Sequence, residues 1–233
     1  MKDKYNFETY LFLSPKKIAI SVHNKQNLEN LYQNEIIVDN KTDLDLVLVD
    51  KFLEQNVYQI EKVLNNFVEN ICLILNSNKF LTVRFSLKKS NYGNLITREK
   101  LSYLLSEAKV ECKKTIGNRN IIHMLINNYL MDDKSYLSFP ENLKCNYLSL
   151  DISFICLSKN HIYDLENVLK KYQISVNNIL NFEYVHSFLN ESQNNLYKMS
   201  RLINDGYNQN EVLIVPKKSK NRGFFERFFN FFN

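Results

Sequence analysis

The stretch that decides the fold is YLSLDISFICLSKNHIYDLENVLKKYQISVNNILNF, residues 147–182. Residues 147–158 are rich in Leu, Ile, Phe and Ser at a two-residue alternation, the pattern of a strand. From Lys159 the period changes. Ile162, Leu165, Val168, Leu169 and Tyr172 recur at three and four, which predicts a helix over 159–174 with one apolar face. Residues 175–182 (SVNNILNF) read as strand-like. A strand, an amphipathic helix and a strand in this order make an α/β unit.

The rest of the chain follows the same reading. Residues 9–22 (TYLFLSPKKIAISV) predict two strands joined at Ser14-Pro15, and 34–38 (NEIIV) a third. Residues 44–49 fit either a strand or a helix start. From Lys51 the period is helical, with Phe52, Leu53, Val57, Ile60, Val63, Leu64, Phe67, Val68 and Ile71 on one face. Asn76-Ser77-Asn78 is a turn, 79–86 a strand and 90–94 a turn. Thr97 is placed to cap a helix carrying Leu101, Leu104, Leu105, Ala108 and Cys112, and Gly117 ends that segment. Residues 120–126 and 128–139 read as strands with a turn at Asp132-Asp133, 184–204 as a helix stopped by Gly206, and 211–215 as a last strand. The expected division is an outer unit, 1–78 with 175–215, and an inserted small α/β unit, 79–174. A basic linker (216–222) and a Phe-rich helix (223–233) follow.

Composition bounds the chemistry. The chain has 233 residues, 45% hydrophobic and 24% charged, which is ordinary for a packed domain. Four glycines and three prolines leave little material for Gly-rich phosphate loops. Net charge is +5, without a Lys/Arg block outside the C-terminal segment, so nucleic acid is not an expected partner. Cys72, Cys112, Cys145 and Cys156 form no CxxC pair and read as core thiols in a reducing compartment. His23, His123, His161 and His186 lie neither beside a cysteine nor in an HxxxH spacing, so no metal site is expected; His123, in an apolar strand, reads as a satisfied, half-buried side chain. No apolar run reaches the ~18 residues of a membrane span. The opening MKDKYNFETY is too polar for a signal peptide, which places the expected location in the cytoplasm.

The sharpest signal is NRGFFERFFNFFN, residues 221–233, which holds six of the 16 Phe. On a helix at about 100° per residue, Phe224, Phe225, Phe228, Phe229, Phe231 and Phe232 fall in an arc of roughly 160°. Glu226, Arg227 and Asn230 fill the other side. A helix lying in a membrane interface needs this separation, and Lys217, Lys218, Lys220 and Arg222 sit where anionic headgroups attract them. A partner-binding helix or an intramolecular contact of the Phe face are the alternatives. Each fully buried Phe gains ~1.5–3 kcal/mol, of which an interface captures part. Ordering each residue costs roughly 1–2 kcal/mol. The net for one segment is small, so stable attachment calls for several copies together, as in a homo-oligomer.

The order of elements carries a resemblance. Ile96–Lys109 (ITREKLSYLLSEAK), Ile121–Ile126 (IIHMLI), Tyr129–Asp132, Pro140–Leu143, Tyr147–Ser158, Ile162–Tyr172 and Ile174–Ile179 resemble, in series, the subdomain inserted into FtsA. FtsA is the actin-like cell-division protein that tethers the FtsZ ring to the bacterial membrane. FLSPKKIAISV resembles the first hairpin of that family, and the Phe-rich segment its membrane helix. The resemblance implies a partial actin-like fold: half of the first actin-like subdomain with an inserted small α/β subdomain. It also implies a place on the inner face of the cell membrane and partners such as FtsA itself or later divisome components. The chain departs from the family at its phosphate loops. Phe12 and Ser14, followed by Pro15, stand where the first loop has Asp and Gly, and the second loop has no counterpart. Neither ATP nor another cofactor is therefore expected, and no catalytic residue. The FtsZ-binding region also has no counterpart, so direct FtsZ contact is not expected. The function these readings give is a non-enzymatic, membrane-peripheral adaptor in cell division. The alternatives are a platform of another envelope machine, like the pilus-associated PilM relatives of FtsA, and a residual ATP-binding protein.

Overall fold

A computed structural model describes residues 6–39, 42–190 and 194–212. In chain order the elements are β1 (Phe7–Ser14), β2 (Lys17–Asn24), β3 (Asn30–Ile37), α1 (Leu46–Leu64), β4 (Asn70–Leu75), β5 (Phe80–Ser90), α2 (Arg98–Thr115), β6 (Arg119–Met131), β7 (Lys134–Tyr136), β8 (Tyr147–Ser158), α3 (Lys159–Lys170), β9 (Ser175–Asn181), α4 (Phe182–His186) and α5 (Leu196–Asn204). Among the described residues they form two units, each with its own sheet: residues 6–79 with 159–202, and 80–158 with 203–212.

The first sheet has the order β3-β2-β1-β4-β9. β1, β2 and β3 form an antiparallel meander; β4 runs parallel to β1, and β9 parallel to β4. β1 is the central strand, and Tyr10, Leu11, Phe12 and Leu13 are all buried, as a strand covered on both faces requires. α1 starts at Asp45, whose carboxylate accepts from the N–H groups of Val47 and Leu48. It ends at Asn65, which adopts the left-handed conformation that closes many helices. Phe52, Leu53, Val57 and Ile60 face the core. Asn56 is buried among them: its Nδ2 donates to the Phe52 carbonyl (2.6 Å), and its Oδ1 accepts from Tyr32 Oη and Asn34 Nδ2 (both 2.7 Å). One amide thus ties the helix to β3.

The second sheet, β5-β8-β6-β7, is antiparallel throughout. The alternation of β8 sends Leu148, Leu150, Ile152, Phe154 and Cys156 to one face, where they share a core with Leu101, Leu104, Leu105, Ala108 and Cys112 of α2. Thr97 caps α2 through its side-chain oxygen, and Gly117 takes the positive φ that ends the segment. All four cysteines are buried free thiols.

The chain is a mixed α/β protein on two sheets, with an antiparallel meander continued by two parallel strands, consistent with the partial actin-like subdomain the resemblance implies. Three expectations are corrected and one ambiguity is settled. The helix predicted from Lys51 does not reach Ile71: it stops at Leu64, Val63 and Phe67 are 60% and 70% exposed, and Ile71 belongs to β4. The ambiguous 44–49 stretch is the helix start. The predicted helix over 184–204 is two helices, α4 and α5. The unit boundaries also differ: α3 packs with the first unit, where Lys171 pairs with Asp50 (2.6 Å) and Tyr172 Oη donates to the Asp50 carbonyl (2.9 Å), whereas residues 203–212 belong to the second.

Phe154 tests the second core. It is fully buried and meets Phe85 edge to face, with ring centroids 5.7 Å apart. Phe154→Ala is expected to cost ~3–5 kcal/mol of unfolding free energy, read as a shift of denaturant midpoint at unchanged slope.

Candidate functional site

The first hairpin is where the resemblance places a phosphate loop. The β1–β2 pairing runs without a break to Ser14↔Lys17, leaving the two-residue turn Pro15-Lys16. Ser14 Oγ donates to the Lys17 carbonyl (3.0 Å) and accepts from the Lys16 N–H (3.3 Å). Pro15 has no N–H, and that of Lys16 is taken by Ser14. A phosphate cradle needs several N–H groups aimed at the ligand, and this turn offers none. Lys17 pairs instead with Glu35 (2.7 Å).

Phe12 is buried against Phe182 with ring centroids 5.3 Å apart. Phe182 in turn meets His186 at 5.2 Å. Asn181 sets this up: as the cap of α4 it accepts from the Tyr184 N–H (2.8 Å), turning the chain at the end of β9 so that Phe182 lies beside β1. Where the resemblance would place an acidic residue, the chain has aromatic packing. Phe182 carries no local signal of this role, because its partner is at the other end of the sequence.

A second cluster lies within the first unit. Tyr10, His23 and Tyr197 form a ring triad with centroids 5.5–6.1 Å apart. Glu8 accepts from Tyr10 Oη (2.8 Å) and lies 3.8 Å from Arg201 Nε; Arg201 also donates to the Lys25 carbonyl (2.7 Å). Leu28, Asn195 and Lys198 complete the wall of a cavity of about 60 Å³. That admits water-sized groups and is well below the ~300 Å³ of a small-molecule site. Burial, followed by the Glu8 charge, pushes the Tyr10 phenol well above its ordinary range, and burial pushes Tyr197 up to about 12. Burial also lowers His23, against the opposing effects of the Leu28 carbonyl and Glu8. The cluster holds neutral rings at pH 7 and is built for packing.

In the second unit, His123 and Glu211 form a buried pair, Nδ1 to Oε1 at 2.7 Å. His123 is more deeply buried than the half-buried reading of its strand expects. Asp132 is the pivot of a turn: at φ 51°, its carboxylate accepts from the N–H groups of Asn146 and Tyr147 at 2.9–3.3 Å. Its oxygens are committed to backbone.

Among the described residues no three His, Cys, Asp or Glu side chains gather as a metal site, and no helix is long and apolar enough to cross a membrane. Burial raises the thiols of Cys112 and Cys145 and pushes Cys156 up to about 12, away from the reactive range. The sequence-predicted membrane-binding residues, Lys217, Lys218, Lys220, Arg222, Phe224, Phe225, Arg227, Phe228, Phe229, Phe231 and Phe232, lie outside the described residues.

No protein-family model and no curated protein matches the chain. Solved structures overlap it in part. The cytoplasmic domain of EpsL, an inner-membrane component of the type II secretion system of Vibrio cholerae, matches 75% of this chain and 57% of its own, at 10% identity and TM-score 0.39. A PilM–PilN type IV pilus biogenesis complex matches 76% and 48%, at 7% identity and TM-score 0.47. A Bacteroides thetaiotaomicron protein with an actin-like ATPase fold and unknown function matches 81% and 58%, at 13% identity and TM-score 0.32. The chain spans about half the length of these proteins, and likenesses of this strength assign neither family nor activity.

The buried imidazole of His23 gives a pH dependence with a definite sign. It is held neutral in the fold, while the unfolded chain takes up a proton near pH 6.5. Its contribution is fully present above that value and falls as pH drops toward the lowered folded value; His161, also lowered by burial, acts in the same direction. Unfolding free energy is therefore expected to decline from pH 7 to 5, with a shallower slope in His23→Gln, measured by urea titration at each pH.

Proposed function

We propose that this chain is a non-enzymatic adaptor that attaches to the cytoplasmic face of a bacterial cell membrane and presents its two α/β units to an assembly machine. The observation that carries this reading is the C-terminal sequence, with six Phe on one helical face behind a spacer containing Lys217, Lys218, Lys220 and Arg222. Anionic lipid is the proposed surface. The FtsA resemblance of residues 96–179 makes the divisome the proposed machine, with FtsA or later division components as partners and no direct FtsZ contact. The absence of ATP turnover is part of the proposal, supported by the filled Phe12–Phe182 position and the spent N–H groups of the first hairpin.

Co-sedimentation with vesicles tests it. The full chain is expected to pellet with vesicles containing anionic lipid, more weakly at high salt. A chain ending at Lys220 is expected to stay in the supernatant. Equal behaviour of the two chains would overturn the lipid reading and turn the search to a protein groove for the Phe face. In cells, midcell enrichment supports the divisome, and enrichment at poles or secretion sites moves the assignment to another envelope machine. A thermal shift on adding ATP would overturn the non-nucleotide part of the reading.

A further inference from the structure

The segment just before the basic spacer is fastened to the second unit. Around the Leu125↔Glu211 bridge, the Ile126 N–H donates to the Asn210 carbonyl (2.9 Å), and the Val212 N–H donates to the Met124 carbonyl (2.8 Å). Asn210 Nδ2 donates to the Leu137 carbonyl (2.6 Å), and its Oδ1 accepts from Tyr129 Oη (3.2 Å). Glu211 reaches diagonally to His123, with both side chains only 2–3% exposed. Val212 is 1% exposed and belongs to the core that α2 and the second sheet share. Two backbone bonds alone would fray. A buried carboxylate on a buried imidazole, flanked by an apolar plug, resists opening, because release strands polar groups inside the core.

We propose that Asn208–Val212 is a clip that fastens the membrane-binding segment to the second unit. That unit is then the body held at the lipid surface, with His123 and Glu211 as the positioning residues. This rests on the lipid reading above. Only residues 213–222 lie between the clip and Gly223. An extended chain spans at most ~3.3–3.6 Å per residue, so the edge of β6 stays within roughly 40 Å of the surface. Opening the clip adds the residues back to the end of α5, and the tether roughly doubles in reach.

Hydrogen exchange on the full chain, free and on vesicles of 3:1 zwitterionic to anionic lipid, tests the clip. The Ile126 and Val212 amides report it, and the β8 amides report the fold. In the native chain both reporters are expected to be protected in both states. Glu211→Ala is expected to speed their exchange at least tenfold with β8 unchanged, while Glu211→Gln, which keeps an acceptor for His123, stays near native. Energy transfer from a dye on Asn120→Cys to a lipid acceptor should fall in Glu211→Ala and recover in Glu211→Gln, with vesicle binding within twofold in both. Unprotected reporters in the native chain overturn the clip, as does an Ala variant that changes neither exchange nor transfer. If the exchange result holds but the full chain fails to pellet, the lipid reading falls and takes the surface placement with it.

Discussion

Parallel pairing of β4 with β9 is the constraint on which the rest depends. Cys72–Leu75 lie beside Asn178–Asn181 in the same direction, so the chain cannot turn back between them in a hairpin. It must leave the sheet and return to the same end. Most proteins do this with a single helix. Here the chain leaves through β5, builds an entire four-stranded sheet with its own helix, and returns through α3. The second unit is thus an enlarged crossover. Its antiparallel sheet needs only local turns and its own core, so it makes no demand on the register of the first sheet. The first sheet in turn needs only that β8 deliver α3 in position. The continuous apolar run Ile71–Leu75 reflects that role: a strand paired on both edges and buried on both faces has no polar side to show.

What the sequence displayed and what it hid follow from range. β8 and α3 were legible because alternation and the 3.6 period are local signals. β4 was not. Phe67, Val68 and Ile71 happen to continue the spacing of Leu64, and the stop is a left-handed Asn65 in a chain where Asn is everywhere. Likewise, the apolar face of α3 announces burial without saying against which sheet, so its assignment to the inserted unit failed. The Asp132 turn could be read, but the carboxylate's grip on Asn146 and Tyr147 could not. Glu211 was invisible as a partner of His123 because 88 residues separate them and neither carries a motif.

The aromatic contacts and the strand pairing complete the first hairpin from within the chain. A cradle holds its N–H groups outward, away from the strands, and depends on the ligand to satisfy them. Here β1 and β2 zip to the last residue, Ser14 satisfies Lys16, and Phe12 joins Phe182 at ring-contact distance. The region is complete as it stands. The Tyr10–His23–Tyr197 cluster has the same character, with burial driving each titratable ring toward its neutral form. These groups find their partners within the first unit itself.

The length of the tether bears on attachment. On the proposed reading, a single Phe-rich segment gains little net free energy at an interface, so residence depends on how many segments act together. The strength of that cooperation scales with effective concentration, which falls steeply as tethers lengthen beyond the span they must cover. A clip that ends at Val212 takes the residues after α5 out of the tether and places the start of the spacer at a defined edge of β6. Neighbouring copies on one membrane would then hold their bodies at a common height, where body-to-body contacts can form without first ordering a long linker. If the lipid reading holds, the buried His123–Glu211 pair, which looks like a local detail of the second core, sets how far several weak lipid contacts can act together.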